Sequence, residues 1–217
     1  MEMLQMAKSS NDFGLRRQFP WSTSDPKSPW IIKINRSAEE SYVKSLLKPT
    51  LHRRDKIQIY RVENPYLWAR YILRHEELNA NTGPPIVSEH IVFHATDWSK
   101  ALQIVDENFN WRLVTRARFG QGVSFSKDPS YADRYASEQG VWMITGIPVG
   151  HKSIGNYYTV IPPPEHDTTG DRADKVYVKY YDDDFYPYYL VHRTYYYEFG
   201  IGREYDDYSD YVDYNYY

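Results

Sequence analysis

Short β-type segments alternate irregularly with helical ones along most of this chain, and the alternation restricts its fold class. Residues 56–62 and 90–93 have the pattern of strands, whereas residues 65–78 carry apolar side chains at helical spacing. Glycine and proline separate the segments, and no steady strand-helix-strand rhythm develops. The pattern therefore predicts an α+β domain rather than a doubly wound parallel sheet.

Several of the predicted elements have clear start and stop signals. The first helix begins after Ser37, which forms a capping box with Glu40 by residue type, and Pro49 ends it. Asn64-Pro65 opens the second helix. Further helices are expected at residues 98–105 and 129–137, further strands at 123–126, 141–147, 175–181 and 188–194, and a long loop at 162–174.

Composition divides the chain into three regions. Residues 1–36 show neither a strand period nor a helical one, and they are predicted to be a flexible leader. Residues 37–200 are predicted to form the folded domain. Residues 201–217 are mostly Tyr and Asp with few aliphatic side chains to bury, so they are predicted to be a disordered tail.

The composition also excludes several functional classes. Because there is no cysteine, the chain has no disulfide framework, no thiolate metal site and no cysteine nucleophile. Lys and Arg number 26 and Asp and Glu 29, so the net charge is −3 and direct nucleic-acid binding is not expected. Mean hydropathy is −0.72, and neither a membrane span nor a secretory signal is recognisable. We therefore expect an intracellular protein without membrane contact.

Two histidines four residues apart require a zinc site to be considered. His90 and His94 would share a face of a helix, but residues 91–93 (Ile-Val-Phe) favour a strand, where the two positions lie about 13 Å apart. The residue after His90 is also not the glutamate of a zinc-hydrolase helix. No metal site is predicted.

Three segments contain residue types suited to binding a planar ligand. In residues 93–96 (Phe-His-Ala-Thr), a histidine and the backbone of a small residue leave a buried strand together. Residues 119–126 contain two glycines where a backbone bends or a ligand approaches closely. In residues 130–136, Tyr131 and Tyr135 share a helix face, on which one of them could present a ring to a planar base.

In this order, the segments resemble the catalytic domain of the poly(ADP-ribose) polymerase family, the diphtheria-toxin-like ADP-ribosyltransferases. Residues 57–71 are similar to the family's opening block, and His94-Ala95-Thr96 to its His-Gly/Ala-Thr/Ser signature. The resemblance runs from about residue 38 to 196 and is greatest to the small members of the mono-ADP-ribosylating branch. The other similar blocks are residues 104–112, 147–150, 167–171 and 186–191.

The resemblance implies an ADP-ribosyltransferase fold, with two mixed or antiparallel sheets and flanking helices around an NAD cleft. NAD would be the substrate, cleaved at its nicotinamide–ribose bond through an oxocarbenium-like state. By position, His94 would hydrogen-bond a ribose hydroxyl, the Ala95 backbone would pair with the nicotinamide amide, and Tyr135 would stack on the ring. The other predicted NAD-binding residues are Thr96, Gly122, Phe125 and Ala132.

Three positions depart from the family pattern. Ser124 replaces a tyrosine that covers one face of the nicotinamide, and Ala132 replaces a serine that bonds its amide. Val176 replaces the glutamate of polymer-forming members. The predicted catalytic set is therefore His94, Ser124 and Val176, with the last two degenerate. Valine can neither orient a ribose hydroxyl nor activate an acceptor, so polymer synthesis is not expected.

Two functions stay open at this point. The chain is an NAD-dependent mono-ADP-ribosyltransferase acting on protein acceptors, or a catalytically inactive domain of the same fold that acts as a binding module. His94, Tyr131 and Tyr135 could instead be core residues. The tail offers a third hypothesis, as a phosphorylation target or as an ADP-ribose acceptor, and a loop acid could replace the missing glutamate. The tail acceptors would be Asp206, Asp207, Asp210 or Asp213, and the candidate loop acids are Glu165 and Asp171.

Overall fold

The computed structural model describes residues 19–21, 30–51, 56–81, 86–115, 117–135 and 140–194. Within these ranges nine strands form one mixed sheet, in the order β1-β2-β9-β5-β3-β4-β8-β7-β6, with helices against both faces. The predicted α+β class is confirmed. The strands are β1 (Ile31–Ile34), β2 (Lys56–Val62), β3 (Ser88–Asp97), β4 (Val123–Ser126), β5 (Gly140–Val149), β6 (Lys152–Ile154), β7 (Thr168–Gly170), β8 (Val176–Lys179) and β9 (Tyr186–Thr194). The helices are α1 (Ala38–Leu46), α2 (Pro65–Asn81), α3 (Trp98–Glu107) and α4 (Pro129–Asp133), with a 3-10 turn at Trp111–Leu113.

The two sheets expected from the resemblance are joined into one. β3 and β4 pair only through Phe93 and Ser126, whereas β3 pairs with β5 along its whole length, from Ser88 to Asp97. β4 then pairs with β8 over all four of its residues. The sheet therefore narrows between β3 and β4, and the prediction of two separate sheets is corrected to two halves that share this short junction.

Side-chain caps begin the two long N-terminal helices as the sequence predicts. The Ser37 hydroxyl accepts from the Glu40 amide at 3.1 Å at the start of α1. The Asn64 side-chain oxygen Oδ1 accepts from the Tyr66 and Leu67 backbone amides at 3.0 and 3.1 Å at the start of α2. The Asn64 amide group also donates to the Val105 carbonyl at 2.9 Å, which ties α2 to α3.

Besides β6, which was not predicted, the strands differ from the prediction in further places. β1 lies within the predicted leader, where Ile31–Ile34 pairs with β2. β7 interrupts the predicted loop at 162–174, because three buried residues of modest strand propensity pair on both sides, with β6 and β8. β8 and β9 follow one another along the chain, joined by residues 180–185 with the acidic turn Asp182-Asp183-Asp184, but they are not neighbours in the sheet. The rest of the leader, apart from residues 19–21 and 30–36, and the predicted tail at 201–217 lie outside the described residues.

Buried tyrosines in the described region find hydrogen-bond acceptors across the core. The Tyr71 and Tyr188 hydroxyls both donate to the Glu89 carboxylate at 2.8 Å, and the Tyr189 hydroxyl donates to Glu39 at 3.0 Å. Glu39 also binds the Arg61 guanidinium at 2.6 Å. These contacts join α1 and α2 to the sheet.

No helix in the described ranges is long and apolar enough to cross a membrane.

Candidate active site

His94 lies on β3 where this strand separates from β4. Its Nδ1 is 3.1 Å from the Ser124 carbonyl oxygen, and its ring contacts Phe109 and Phe125 at centroid distances of 5.2 and 5.6 Å. Because a carbonyl only accepts, Nδ1 carries the proton, and the neutral ring keeps Nε2 as an acceptor. Burial lowers the pKa of His94, although its bond to Ser124 acts in the other direction, so the neutral form is favoured.

The neighbouring signature residues lie further along the same strand. Ala95 is buried and pairs with Trp142 of β5, and half-buried Thr96 pairs with Val141. Both His90 and His94 belong to β3, which confirms the strand expected between them. Within the described ranges, no group of three or more His, Asp or Glu side chains is arranged to hold a metal ion.

Two glycines shape the turn that leads into β4. Gly120 has a φ of 131°, and a Cβ there would lie 1.7 Å from the Tyr180 hydroxyl. A Cβ at Gly122 would lie 2.3 Å from the Lys179 carbonyl oxygen of β8. The turn therefore needs its glycines, as the sequence indicated. The atoms that approach these glycines most closely belong to Lys179 at the end of β8 and to Tyr180, the next residue.

Ser124 and Val176 lie on one face of the sheet. Ser124 pairs with Val178 and Ser126 pairs with Val176, and antiparallel partners project to the same side. Ser124 is exposed, whereas Val176 is buried together with Val178 and Tyr180. Phe119 and Tyr131 pack against this apolar cluster. The position predicted for the family's glutamate is thus covered by aliphatic and aromatic side chains.

Helix α4 covers this face but is shorter than predicted. It ends at Asp133, so Tyr135 lies after the helix rather than on it. The Tyr131 and Tyr135 rings are nevertheless 5.7 Å apart, and the Tyr135 hydroxyl donates to that of Tyr131 at 3.3 Å. Tyr135 is 49% exposed, while Ala132 is buried in the same core cluster as Ala95. Tyr131 is half-buried against the cluster of Val176, Val178 and Tyr180, and Tyr135 keeps an accessible ring.

The two loop acids considered as replacements for the glutamate have other contacts. The Asp171 carboxylate accepts from the Lys175 and Val176 amides at 2.8 and 2.9 Å, so it orders the start of β8. Glu165 has a φ of 67°, is exposed, and its carbonyl is 3.0 Å from Nδ1 of His151. The Asp171 carboxylate thus lies beside the Val176 backbone with Oδ1 already engaged by two amides, and the replacement of the glutamate by a loop acid stays a prediction.

A buried ion cluster that the sequence did not indicate supports β8 from the opposite face. The Lys179 ammonium is fully buried and donates to the Asp167 carboxylate at 2.9 Å and to the Pro148 carbonyl at 2.8 Å. It is also 3.3 Å from Asp184, whose other carboxylate oxygen accepts from Arg74 at 2.8 Å. Lysine is seldom buried in this way, so nothing in a single sequence would have located this cluster.

Comparison with known proteins agrees with this geometry. The sequence profile of the family described as poly(ADP-ribose) polymerase catalytic domain matches residues 37–183, more than half of the chain. The chain belongs to this family. The match includes the β3 signature, the glycine turn, α4 and β8, and it confirms the ADP-ribosyltransferase fold that the motifs predicted.

Three curated relatives carry names from the mono-ADP-ribosylating branch. The chain is 30% identical over 122 residues to mouse protein mono-ADP-ribosyltransferase PARP11, covering 54% of this chain and 37% of the relative. It is 29% identical over 151 residues to human PARP12, covering 66% and 22%, and 26% identical over 156 residues to human PARP14, covering 62% and 8%. The matched region thus spans little more than a third of the PARP11 relative.

Proposed function

We propose that this protein transfers a single ADP-ribose unit from NAD to protein acceptors. The observation that carries the proposal is the placement of His94. Its Nδ1 proton is used by the Ser124 carbonyl, so the acceptor Nε2 is the atom left for a ribose hydroxyl. The proposal is also supported by family membership and by the names of the relatives.

In this proposal the residues around His94 hold the two ends of the bond that breaks. The backbone of Ala95 pairs with the nicotinamide amide, Tyr135 covers one face of the ring, and His94 orients the ribose. Thr96, Gly122, Phe125 and Ala132 line the same site. When the glycosidic bond breaks, its electron pair goes to the nicotinamide nitrogen, and the acceptor attacks the ribose carbon that is left electron-poor.

Polymer synthesis is not part of the proposal, because extending a chain needs a carboxylate beside the ribose hydroxyls. Val176 is buried among apolar side chains at that position.

The absence of the second ring at Ser124 and of a hydroxyl at Ala132 weakens NAD binding by about 1–3 kcal/mol in total, roughly 5- to 150-fold. Substrate binding would be weaker than with the full set of contacts.

Labelled NAD tests this function directly. Incubation of the purified chain with NAD and acceptor proteins should release nicotinamide and attach ADP-ribose units singly, as read from the mass added to each modified peptide. Ladders of several units would contradict the proposal.

Ser124 and Val176 also favour a second function, an inactive domain that binds partners. That function would be supported if no nicotinamide were released and no nicotinamide-type ligand raised the melting temperature.

Restoring the missing ring gives a second test. We expect Ser124→Tyr to tighten the binding of nicotinamide-type ligands about 2- to 10-fold, because an aromatic face contributes about 0.5–1.5 kcal/mol beyond area burial. Ser124 is exposed, so the substitution has room. Ser124→Leu is the matched control, since it adds apolar area without an aromatic face. Equal affinities for the two variants, measured by calorimetry, would place the ligand elsewhere.

A further inference from the structure

The loop between β6 and β7 exposes an unusual set of apolar side chains. Their exposed fractions range from 54% to 85%, and a cluster of this kind on a surface is typical of a contact site. We call this set the β6–β7 patch. Its members are Ile154, Tyr157, Tyr158, Val160 and Ile161.

The patch is fastened to the turn that borders the candidate active site. The Gln121 amide donates to the Thr159 carbonyl at 2.9 Å, and Gly155 approaches Phe119 so closely that a Cβ would lie 1.9 Å from the Phe119 carbonyl oxygen. Phe119 itself packs against the apolar cluster of Val176, Val178 and Tyr180. The patch is therefore connected, through Phe119, to the cluster that contains the position predicted for the family's glutamate.

A ligand for this surface would combine aromatic side chains with acidic ones. Tyr157 and Tyr158 form an edge-to-face pair with centroids 5.6 Å apart, which other rings can extend. The exposed Arg118 lies over the Phe119 ring, with 5.1 Å between the guanidinium carbon and the ring centroid. It adds a positive charge at the inner border of the patch.

This chain contains such a segment after β9. In residues 205–214 the pair Asp-Tyr recurs at every third position, at 207–208, 210–211 and 213–214. Residues 204–214 contain five acidic side chains, none basic and four tyrosines, which matches both the rings and the charge of the patch. The last residues of β9 lie at the same end of the sheet as the signature residues 94–96. Val141 of β5 pairs with Thr96 of β3 on one side and with His192 of β9 on the other.

The chain is long enough to connect the two places. Six strand-to-strand steps separate β9 from β6 in the sheet, or about 29 Å at the usual spacing of about 4.8 Å. Residues 195–206, when extended, span up to about 40 Å. The repeat can therefore reach the β6–β7 patch of its own molecule.

An aspartate acceptor also fits the buried valine at position 176. Its carboxylate oxygen attacks the anomeric carbon of the nicotinamide ribose, an ester bond forms, and the carbon–nitrogen bond breaks. Both electrons of that bond go to the ring nitrogen, which leaves as neutral nicotinamide. No proton is transferred, so this acceptor needs no general base.

We propose that residues 204–214 dock on the β6–β7 patch of the same chain and accept ADP-ribose on their aspartates. This inference rests on the proposed transferase function.

The test uses the full chain and labelled NAD. Trypsin cleaves after Arg203 and releases residues 204–217 as one peptide without Lys or Arg. We expect label in this peptide, released by neutral hydroxylamine as esters are. The fourfold variant Asp206→Asn, Asp207→Asn, Asp210→Asn, Asp213→Asn should lose the label from the peptide. The matched variant Tyr208→Phe, Tyr211→Phe, Tyr214→Phe keeps the rings and carboxylates and should keep it.

The docking surface is tested separately. Tyr157→Ser with Tyr158→Ser should slow labelling of the peptide about tenfold, because two ring contacts are lost. Leu73→Ser with Leu113→Ser is the matched control, since it removes exposed apolar side chains on α2 and on the 3-10 turn and should leave the rate unchanged. The first-order rate constant should not depend on protein concentration, because the reaction is within one molecule.

The outcomes separate the two proposals. Nicotinamide release with label elsewhere and none in the peptide would overturn the tail proposal and leave the transferase function standing. A rate constant that rises in proportion to protein concentration would replace the intramolecular acceptor by a second copy of the chain and overturn docking in cis. No nicotinamide release from NAD would remove the transferase function and this inference together.

Discussion

Replacing His94 with alanine is expected to lower the rate of ADP-ribose transfer about 100-fold, the size of effect that follows when a reacting group is displaced by about 1 Å. Nδ1 of the ring is held by the Ser124 carbonyl, and in the proposed function Nε2 orients the ribose while the Ala95 backbone binds nicotinamide. On that proposal His94→Ala should lose affinity for NAD but keep affinity for nicotinamide. Initial rates and calorimetric titrations with both ligands measure the two effects.

The control for this prediction lies on the same strand. His90→Gln changes a histidine whose Nε2 lies 3.1 Å from the Ser88 hydroxyl, outside the predicted NAD contacts, and it should retain full activity. His94→Gln keeps a donor and an acceptor and should recover part of the rate. Activity should also fall in acid, because protonation below the lowered pKa of His94 turns Nε2 from an acceptor into a donor. An unchanged transfer rate in a folded His94→Ala protein would show that His94 packs in the core instead.

Lys179→Met is expected to destabilise the protein by about 3–5 kcal/mol, because it breaks a buried ion pair from one side. Asp167 and Asp184 would remain buried without the ammonium that lies 2.9 and 3.3 Å from their carboxylates. Chemical denaturation at pH 7 measures the change in the free energy of unfolding. Lys175→Met is the matched control, since Lys175 is exposed just before β8, and its effect should stay within about 0.5 kcal/mol.

The pH dependence of the Lys179 variant follows from Asp167. Burial would raise the pKa of Asp167, but attraction to Lys179 and hydrogen bonds, including that from Thr168, lower it below its usual value. This carboxylate therefore stabilises the native protein above its unfolded pKa, and the stability is lost as the pH falls. Without Lys179 burial dominates, the pKa rises, and the deficit should be largest near neutral pH and shrink toward pH 4. A deficit below about 1 kcal/mol at pH 7 would contradict the prediction, since broken buried pairs cost more.

Much of the secondary structure could be predicted because its signals are local. Ser37 and Glu40 locate the start of α1, Asn64-Pro65 locates α2, and the apolar alternation locates β2. β4 was predicted with its observed bounds, since the turn at Gly120 and Gly122 precedes it. Three strands were missed: β6 and β7 are three residues long and β1 is four residues long, too short to show a clear period of two.

The candidate site was predictable in part. The order of motifs indicated the family, which the profile match confirms. The structure brings His94 into contact with the Ser124 backbone on β4, the strand that follows the glycine turn. The predicted end of α4 at residue 137 was wrong, since the helix ends at Asp133. Tyr131 and Tyr135 have the spacing of a helix face, which made the longer helix plausible from the sequence. The roles of the individual NAD-binding residues stay predictions.

The sequence by itself determined the α+β class and the family, because motif order and residue identity are properties of the chain alone, and it predicts that two of the three signature residues are replaced. Only the tertiary structure decided that the two halves of the sheet join through Phe93 and Ser126, and that Val176 is buried beside Tyr131 and Phe119. It also decided that Lys179 lies in the interior. The physical reason is that burial and ion pairing depend on partners far along the chain. Lys179 meets Pro148, 31 residues away, and no local pattern specifies that distance.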